Sequence, residues 1–203
     1  MEVEVSGKKN IELILSKQVE DSYNIKKSLL KEIKKIQLFE KKIFNTIKNK
    51  KKILICGNGG SAADAQHLSA EFLVRLNPNI NRKPYPIISL ALDSSTMTAC
   101  SNDFDFKYVF SRNLDAIGNS GDLLIVISTS GNSKNIVEVL KKSKKKKIYS
   151  LAFLGNDGGK AKKLCDSSLI VKAKDVARIQ EAHIFLGHFI LNLVEKKLLK
   201  IKF

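Results

Sequence analysis

Cysteine is scarce in this chain of 203 residues: there are three, at positions 56, 100 and 165. They are odd in number and far apart, so they form neither a CxxC pair nor a disulfide framework. Buried or inert thiols in a reducing cytoplasm are the expectation. Long apolar runs are also missing. No stretch of about 18 apolar residues occurs, which excludes a helical membrane span. The opening residues, MEVEVSGKKNIELIL, lack a basic region followed by an apolar one, which argues against a signal peptide. Arginine is nearly absent, with Arg75, Arg82, Arg112 and Arg178 set against abundant lysine.

What is there is ordinary in bulk. Hydrophobic residues make up 43% and charged residues 28%, the balance of a soluble domain, and the length suits one domain. The net charge of +16 invites a nucleic-acid partner. The lysines, however, are spread along helices and crowd into NKKK (49–52) and KKSKKKK (141–147). Lysines at helix ends suit the helix dipole and are usually solvated, and a lysine, isoleucine and asparagine bias also fits an AT-rich coding sequence. No nucleic-acid partner is expected.

Residues 8–50 read as helix. Ile25, Leu29, Ile33, Ile36, Phe39, Ile43 and Ile47 recur at threes and fours, with no proline or glycine between them. Two helices are expected, broken near 21–25, where Asp21 or Ser22 could cap the second. From residue 52 the pattern changes to short dense apolar runs: KILIC (52–56), PIISLA (86–91), DLLIVIS (122–128), IYSLAFLG (148–155) and SSLIVK (167–172). Dense rather than alternating runs are strands buried on both faces. Helical segments lie between them, at 61–75, 94–101, 106–118, 133–144 and 158–164, and a long apolar helix over about 176–199 follows. This order predicts an α/β fold, a three-layer α-β-α sandwich around a five-stranded parallel sheet. The expected division is a helical extension over 1–24 and a single domain over 25–203.

In such sheets ligands bind at the C-terminal strand ends, and two loops fall there. GNGGS (57–61) follows the first strand and opens a helix, where exposed N–H groups and the helix dipole favour an anion. STSGNS (128–133) follows the third strand and sets the hydroxyls of Ser128, Thr129, Ser130 and Ser133 around a glycine turn. Hydroxyls with unpaired N–H groups make a phosphate cradle; the alternative is an ordinary serine-rich helix cap. On helix 61–75, Asp64, His67 and Glu71 share one face, and a His and a Glu four apart can reach one ion or one substrate. On the last helix Gln180, His183 and His188 interrupt an apolar face, and buried polar groups need partners. Gln180 and His188 stand about 80° apart around the helix and His183 and His188 about 140°, so His183 reads as a structural core histidine.

Five segments together carry a family resemblance: CGNGGSAADAQHLSAEF (56–72), SNDFDFKYVFSR (101–112), ISTSGNSKNIVEVL (127–140), DGGKAKKLCD (157–166) and RIQEAHIFLGH (178–188). In this order and spacing the chain, from about residue 25 onward, resembles the phosphoheptose isomerases, a branch of the sugar isomerase (SIS) fold. Val74 and Ala177 depart from residues common in that family. The resemblance implies a cytoplasmic, tetrameric, zinc-dependent enzyme. Such an enzyme converts sedoheptulose 7-phosphate to D-glycero-D-manno-heptose 7-phosphate, the first step toward nucleotide-activated heptose for lipopolysaccharide, capsule or other surface glycans. It implies metal ligands at His67, Glu71, Gln180 and His188. It implies substrate contacts at Asn58, Gly59, Gly60, Ser61, Asn102, Asp103, Ser128, Thr129, Ser130 and Ser133, with Glu71 and Gln180 also facing the sugar. The alternatives are a binding protein of the same fold that regulates the replication initiator, or an isomerase of another phosphosugar. The full set of four ligand positions favours the enzyme.

Moving a proton between C1 and C2 through an enediol(ate) needs a base, an acid and a stabilised oxyanion. Glu71 is the expected base and His188 the expected acid, with Asp64 the next base if both are held by metal. Asp103 is expected to orient the sugar. Eight residues separate Gln180 from His188, about 12 Å along a helix axis, against zinc–ligand bonds of about 2 Å. The last helix is therefore expected to serve two neighbouring sites in an oligomer, with His67 and His188 meeting one ion from different chains.

Overall fold

The computed structural model describes residues 2–91 and 93–202, with side chains from residue 9 onward. Two helices lead, α1 (Glu2–Ser28) and α2 (Ile33–Lys48), joined by a 3-10 turn at Leu29–Glu32. Strands and helices then alternate as β1 (Ile53–Gly57), α3 (Gly60–Leu73), β2 (Ile87–Ser89), α4 (Ser94–Asp103), α5 (Val109–Ile117), β3 (Leu123–Ser128), α6 (Lys134–Lys145), β4 (Tyr149–Gly155), α7 (Ala161–Leu164), β5 (Ser167–Val171) and α8 (Val176–Leu198).

The five strands form one parallel sheet in the order β2-β1-β3-β4-β5. Alternate residues of each strand point to opposite faces, and the core divides accordingly. Ile53, Ile55, Ile125 and Phe153 face α2, α3 and α8, where they meet Phe39, Leu68, Phe72, Ile179 and Leu186. Leu54, Cys56, Leu124 and Val126 face α5 and α6, where they meet Phe110, Leu114, Ile136 and Val139. This is the expected three-layer arrangement. Successive crossovers after β1 and β3 leave on opposite faces, so the C-terminal ends of these adjacent strands bracket a crevice at the point where the strand order reverses. Both glycine-bearing loops open into it.

The helix break differs from expectation. α1 runs unbroken through 21–25 and across the 24/25 division, and the break comes at Leu29–Glu32. Ser22 does not cap a helix; its hydroxyl donates to Glu181 Oε2 at 3.0 Å, fastening α1 to α8. The tight turn instead carries Leu29 into the core, and α2 then presents Ile36, Phe39, Ile43 and Ile47 to the sheet. The lysine runs are only partly free. Lys144, Lys145 and Lys147 are exposed, but Lys141 pairs with Glu138 at 2.8 Å and Lys142 and Lys146 pair with Asp115 on α5. Lys52 pairs with buried Asp122 at 2.6 Å. The cysteines are free, with Cys56 and Cys100 buried and Cys165 partly so, and burial pushes the Cys56 thiol well up. No helix of the described residues is long and apolar enough to cross a membrane.

Candidate active site

The GNGGS turn is shaped by what lies against it. Gly57 is so close to Ser61 that a Cβ on it would sit 2.4 Å from the Ser61 carbonyl oxygen. Gly59 takes φ 55°, the left-handed region that favours glycine. Gly60 opens α3, and a Cβ there would sit 2.5 Å from Gln180 Nε2. Gln180 therefore lies across the start of α3, above the turn. The Asn58 amide does not point free: it exchanges two hydrogen bonds with the Asn135 amide, at 2.9 and 2.8 Å. That pair ties the first loop to the start of α6, and Asn135 was not among the residues singled out from sequence.

The second loop is braced from below. Ser128 is buried, and its Oγ accepts the Gly131 N–H at 3.1 Å, so this hydroxyl is turned into its own loop. Ser130 Oγ accepts the Asn132 N–H at 3.2 Å. Thr129 is half-buried, and its carbonyl oxygen accepts from Asn156 Nδ2. Gly131, at φ 63°, packs on Gly158, and Asn132 Oδ1 accepts the Lys160 N–H. Ser133 stands at the cap position of α6 but makes no side-chain cap hydrogen bond. Ser133 is therefore not acting as an ordinary serine cap.

Two turns beyond Gly60, α3 meets α8 at a second cluster. His67 Nε2 lies 2.8 Å from His188 Nε2 and 3.3 Å from Glu71 Oε1. Potential ligand atoms of His67, Glu71 and His188 all fall within 4.8 Å of one another. The two helices run in parallel register, Gly60 against Gln180 and Leu68 against Gly187, so one chain brings His67 and His188 together. The expectation that they reach one site from different chains is corrected: α3 and α8 of a single chain suffice. Gln180, seven residues before Gly187, sits about 10 Å back along the helix axis and lies over the glycine turn. Asn102 and Asp103 close α4, exposed, with Asn102 Nδ2 donating to Asp103 Oδ1 at 2.9 Å.

The SIS domain family profile matches residues 19–155. A phosphoheptose isomerase of Clostridium acetobutylicum is 45% identical over 184 residues, covering 89% of this chain and 93% of that one. One of Campylobacter concisus is 51% identical over 154 residues, covering 76% and 80%. The solved phosphoheptose isomerase of Neisseria gonorrhoeae superposes with a TM-score of 0.84 at 34% identity, covering 92% of this chain and 99% of that one. The chain belongs to the phosphoheptose isomerase family.

Within the site the electrostatics sort the polar residues. Burial lowers the His188 pKa, His67 beside it lowers it further, and Glu71 opposes both. A neutral imidazole is the form that binds a metal. Asp64 moves the other way: burial raises its carboxyl to about 6, partly offset by His67, and its Oδ2 is buried with no hydrogen-bond partner. His183 is fully buried against Phe153, with no hydrogen bond of ordinary geometry at either ring nitrogen. It is a core histidine, as read from the helix angles.

Proposed function

We infer that the chain isomerises sedoheptulose 7-phosphate to D-glycero-D-manno-heptose 7-phosphate, opening the supply of activated heptose for a surface glycan. The observation that carries this is the spacing of two unlike groups. A hydroxyl loop and a glycine turn converge on one crevice, and the His67–Glu71–His188 cluster stands two turns beyond the turn. One end suits a phosphate and the other a reacting carbonyl.

The cluster fits a divalent zinc ion. Around tetrahedral zinc with bonds of about 2.0–2.1 Å, ligand atoms are about 3.3 Å apart, close to the 2.8 and 3.3 Å here. Two imidazoles and a carboxylate leave a fourth position open, as catalytic zinc sites do. When bound, such an ion polarises the sugar's carbonyl and hydroxyl oxygens. His67, Glu71 and His188 would hold it. Gln180, lying over the glycine turn, is read as meeting the sugar in its own chain, and as a metal ligand only across a subunit boundary.

Ser130, Ser133, Thr129 and the N–H groups opening α6 hold the phosphate, with Ser128 shaping the loop. Gly59, Gly60 and Ser61 offer their backbone, and Asn58 fixes the turn through Asn135. Asn102 and Asp103 orient the sugar hydroxyls. Glu71 takes the C1 proton, the C1–H electron pair becomes the C1=C2 bond, and the charge that moves to the oxygen on C2 is met by a proton from His188. His188 then takes the O1 hydroxyl proton as C1=O forms, and the C1=C2 pair takes the proton back from Glu71 at C2, which restores both residues. A second reading has a specific observation behind it: buried Asp64, raised to about 6, is poised as a base near neutral pH if Glu71 and His188 are engaged. The assembly is proposed to be a cytoplasmic homotetramer with its sites at subunit boundaries.

The test is incubation of the purified chain with sedoheptulose 7-phosphate, with and without chelator and restored zinc. Turnover lost to the chelator and regained with zinc is expected, and no turnover under any condition would sink the reading. Glu71→Gln and Asp64→Asn then separate the bases. The one whose loss removes the acid limb of the kcat/KM profile is the base.

A further inference from the structure

We propose that Arg82 and Glu195 are positioning residues, a buried ion pair that sets where Glu71 stands relative to His188 and thereby sets the affinity of the cluster for a divalent cation. The proposal rests on the metal reading above.

The last carbonyls of a helix have no helical partners and form the negative end of its dipole. At the end of α3 those carbonyls include Glu71 and Phe72. Arg82, on the loop that returns to β2, answers them: Nη2 donates to the Glu71 carbonyl oxygen at 2.9 Å and Nη1 to that of Phe72 at 2.9 Å. Its Nε donates to Glu195 Oε1 at 2.5 Å. Both side chains of the pair are 1% exposed. The Phe72 and Tyr85 rings flank the guanidinium at 5.3 and 4.6 Å.

Glu195 lies seven residues after His188 on α8, close to two turns, and so on the same face. One rigid guanidinium thus joins the backbone of Glu71 to the helix that carries His188. Nearer the N-termini, α3 and α8 meet where Gly60 packs on Gln180. The Arg82 pair joins them at the other end, with the cluster between. A planar fork that serves two carbonyls and a carboxylate at once cannot be reproduced by an ammonium.

A merely stabilising pair would behave differently from a positioning one. Replacing a buried ion pair by apolar residues of similar volume often leaves stability intact, whereas loosening residues that orient metal ligands costs about 10–100-fold in affinity. The experiment uses the full chain stripped of metal. Zinc is titrated against a chromophoric chelator in the wild type, His188→Ala, Arg82→Met/Glu195→Met and Arg82→Lys, alongside melting temperatures and steady-state kinetics. The double variant leaves the Glu71 carbonyl without its guanidinium donor, so it is expected to melt somewhat lower, to bind zinc at least about tenfold more weakly, and to lose kcat with little change in KM. Arg82→Lys keeps a cation beside Glu195 but not the fork, and is expected to show the same affinity loss; it decides the matter if the double variant fails to fold. Wild-type zinc affinity and kcat in a folded variant would overturn the proposal. A wild type that binds zinc no better than His188→Ala would overturn the metal reading instead. The clamp is then judged on the kcat–KM split alone, and an unchanged kcat rejects it.

Discussion

Ser128, Ser130 and Ser133 share one loop, but their hydroxyls are committed differently. Ser128 is spent on Gly131, Ser130 is exposed and only shared with the Asn132 N–H, and Ser133 caps nothing. Loss of Ser130 or Ser133 should therefore fall on substrate binding. Ser130→Ala and Ser133→Ala are each expected to raise KM for the phosphorylated sugar severalfold with kcat nearly kept. Normal KM in both would move the phosphate elsewhere. His183 makes a pH prediction. Burial lowers it from 6.5 to about 4, the Leu154 backbone offsetting part of the fall. The fold favours the neutral ring, so this stability is whole above pH 6.5, drains as pH falls toward 4, and is gone below. The amount is about 3 kcal/mol. Urea unfolding at several pH values should show a shallower acid-side decline in His183→Leu than in the wild type. Parallel curves would count against it.

At the scale of elements, the α3–α8 contact depends on a missing side chain. A Cβ on Gly187 would sit 2.6 Å from Leu68 Cδ1, and Leu68 is itself buried. Gly187→Ala should push the helices apart, lower stability by about 1–3 kcal/mol, and weaken zinc binding. An unchanged melting temperature would show that Leu68 can move aside freely. The same elements show what a sequence can and cannot say. The strands were legible because burial on both faces leaves dense apolar runs, and all five lie within a residue or two of the runs read for them. The helix break was not, because Leu29 turning into the core and Ser22 bonding to Glu181 are tertiary events with no local cap to announce them. His67 and Glu71 were legible as an i,i+4 pair. Their meeting with His188 depends on helix register across 121 positions, and Arg82 sits in a loop without any motif.

For the whole molecule, the outer faces of α1 and α8 carry exposed apolar side chains, among them Leu13, Leu15, Phe185 and Phe189, which supports assembly into an oligomer. Because His67 and His188 come from one chain, mixing inactive His67→Ala with inactive His188→Ala subunits should leave verified hetero-oligomers inactive: every site lacks one of the pair. Recovered activity would show ligands crossing between subunits. Mixing Gln180→Ala with His188→Ala asks the separate question. Recovery there would place Gln180 and His188 of one chain in two different sites.

α8 is one of the most heavily used elements of the fold. It packs Ile179, Ala182, Leu186 and Ile190 against the sheet, receives α1 through Glu181 and Arg178, and carries His188. Without α8 the sheet face that α2 and α3 share with it stays partly uncovered, so closure of this core and assembly of the cluster are one event. A chain cut at Asp175 should be held by chaperones or precipitate rather than accumulate as a soluble, partly working enzyme, which fractionation of the truncated product would reveal. Loss of this helix is thereby converted into absence of the protein rather than into a faulty one.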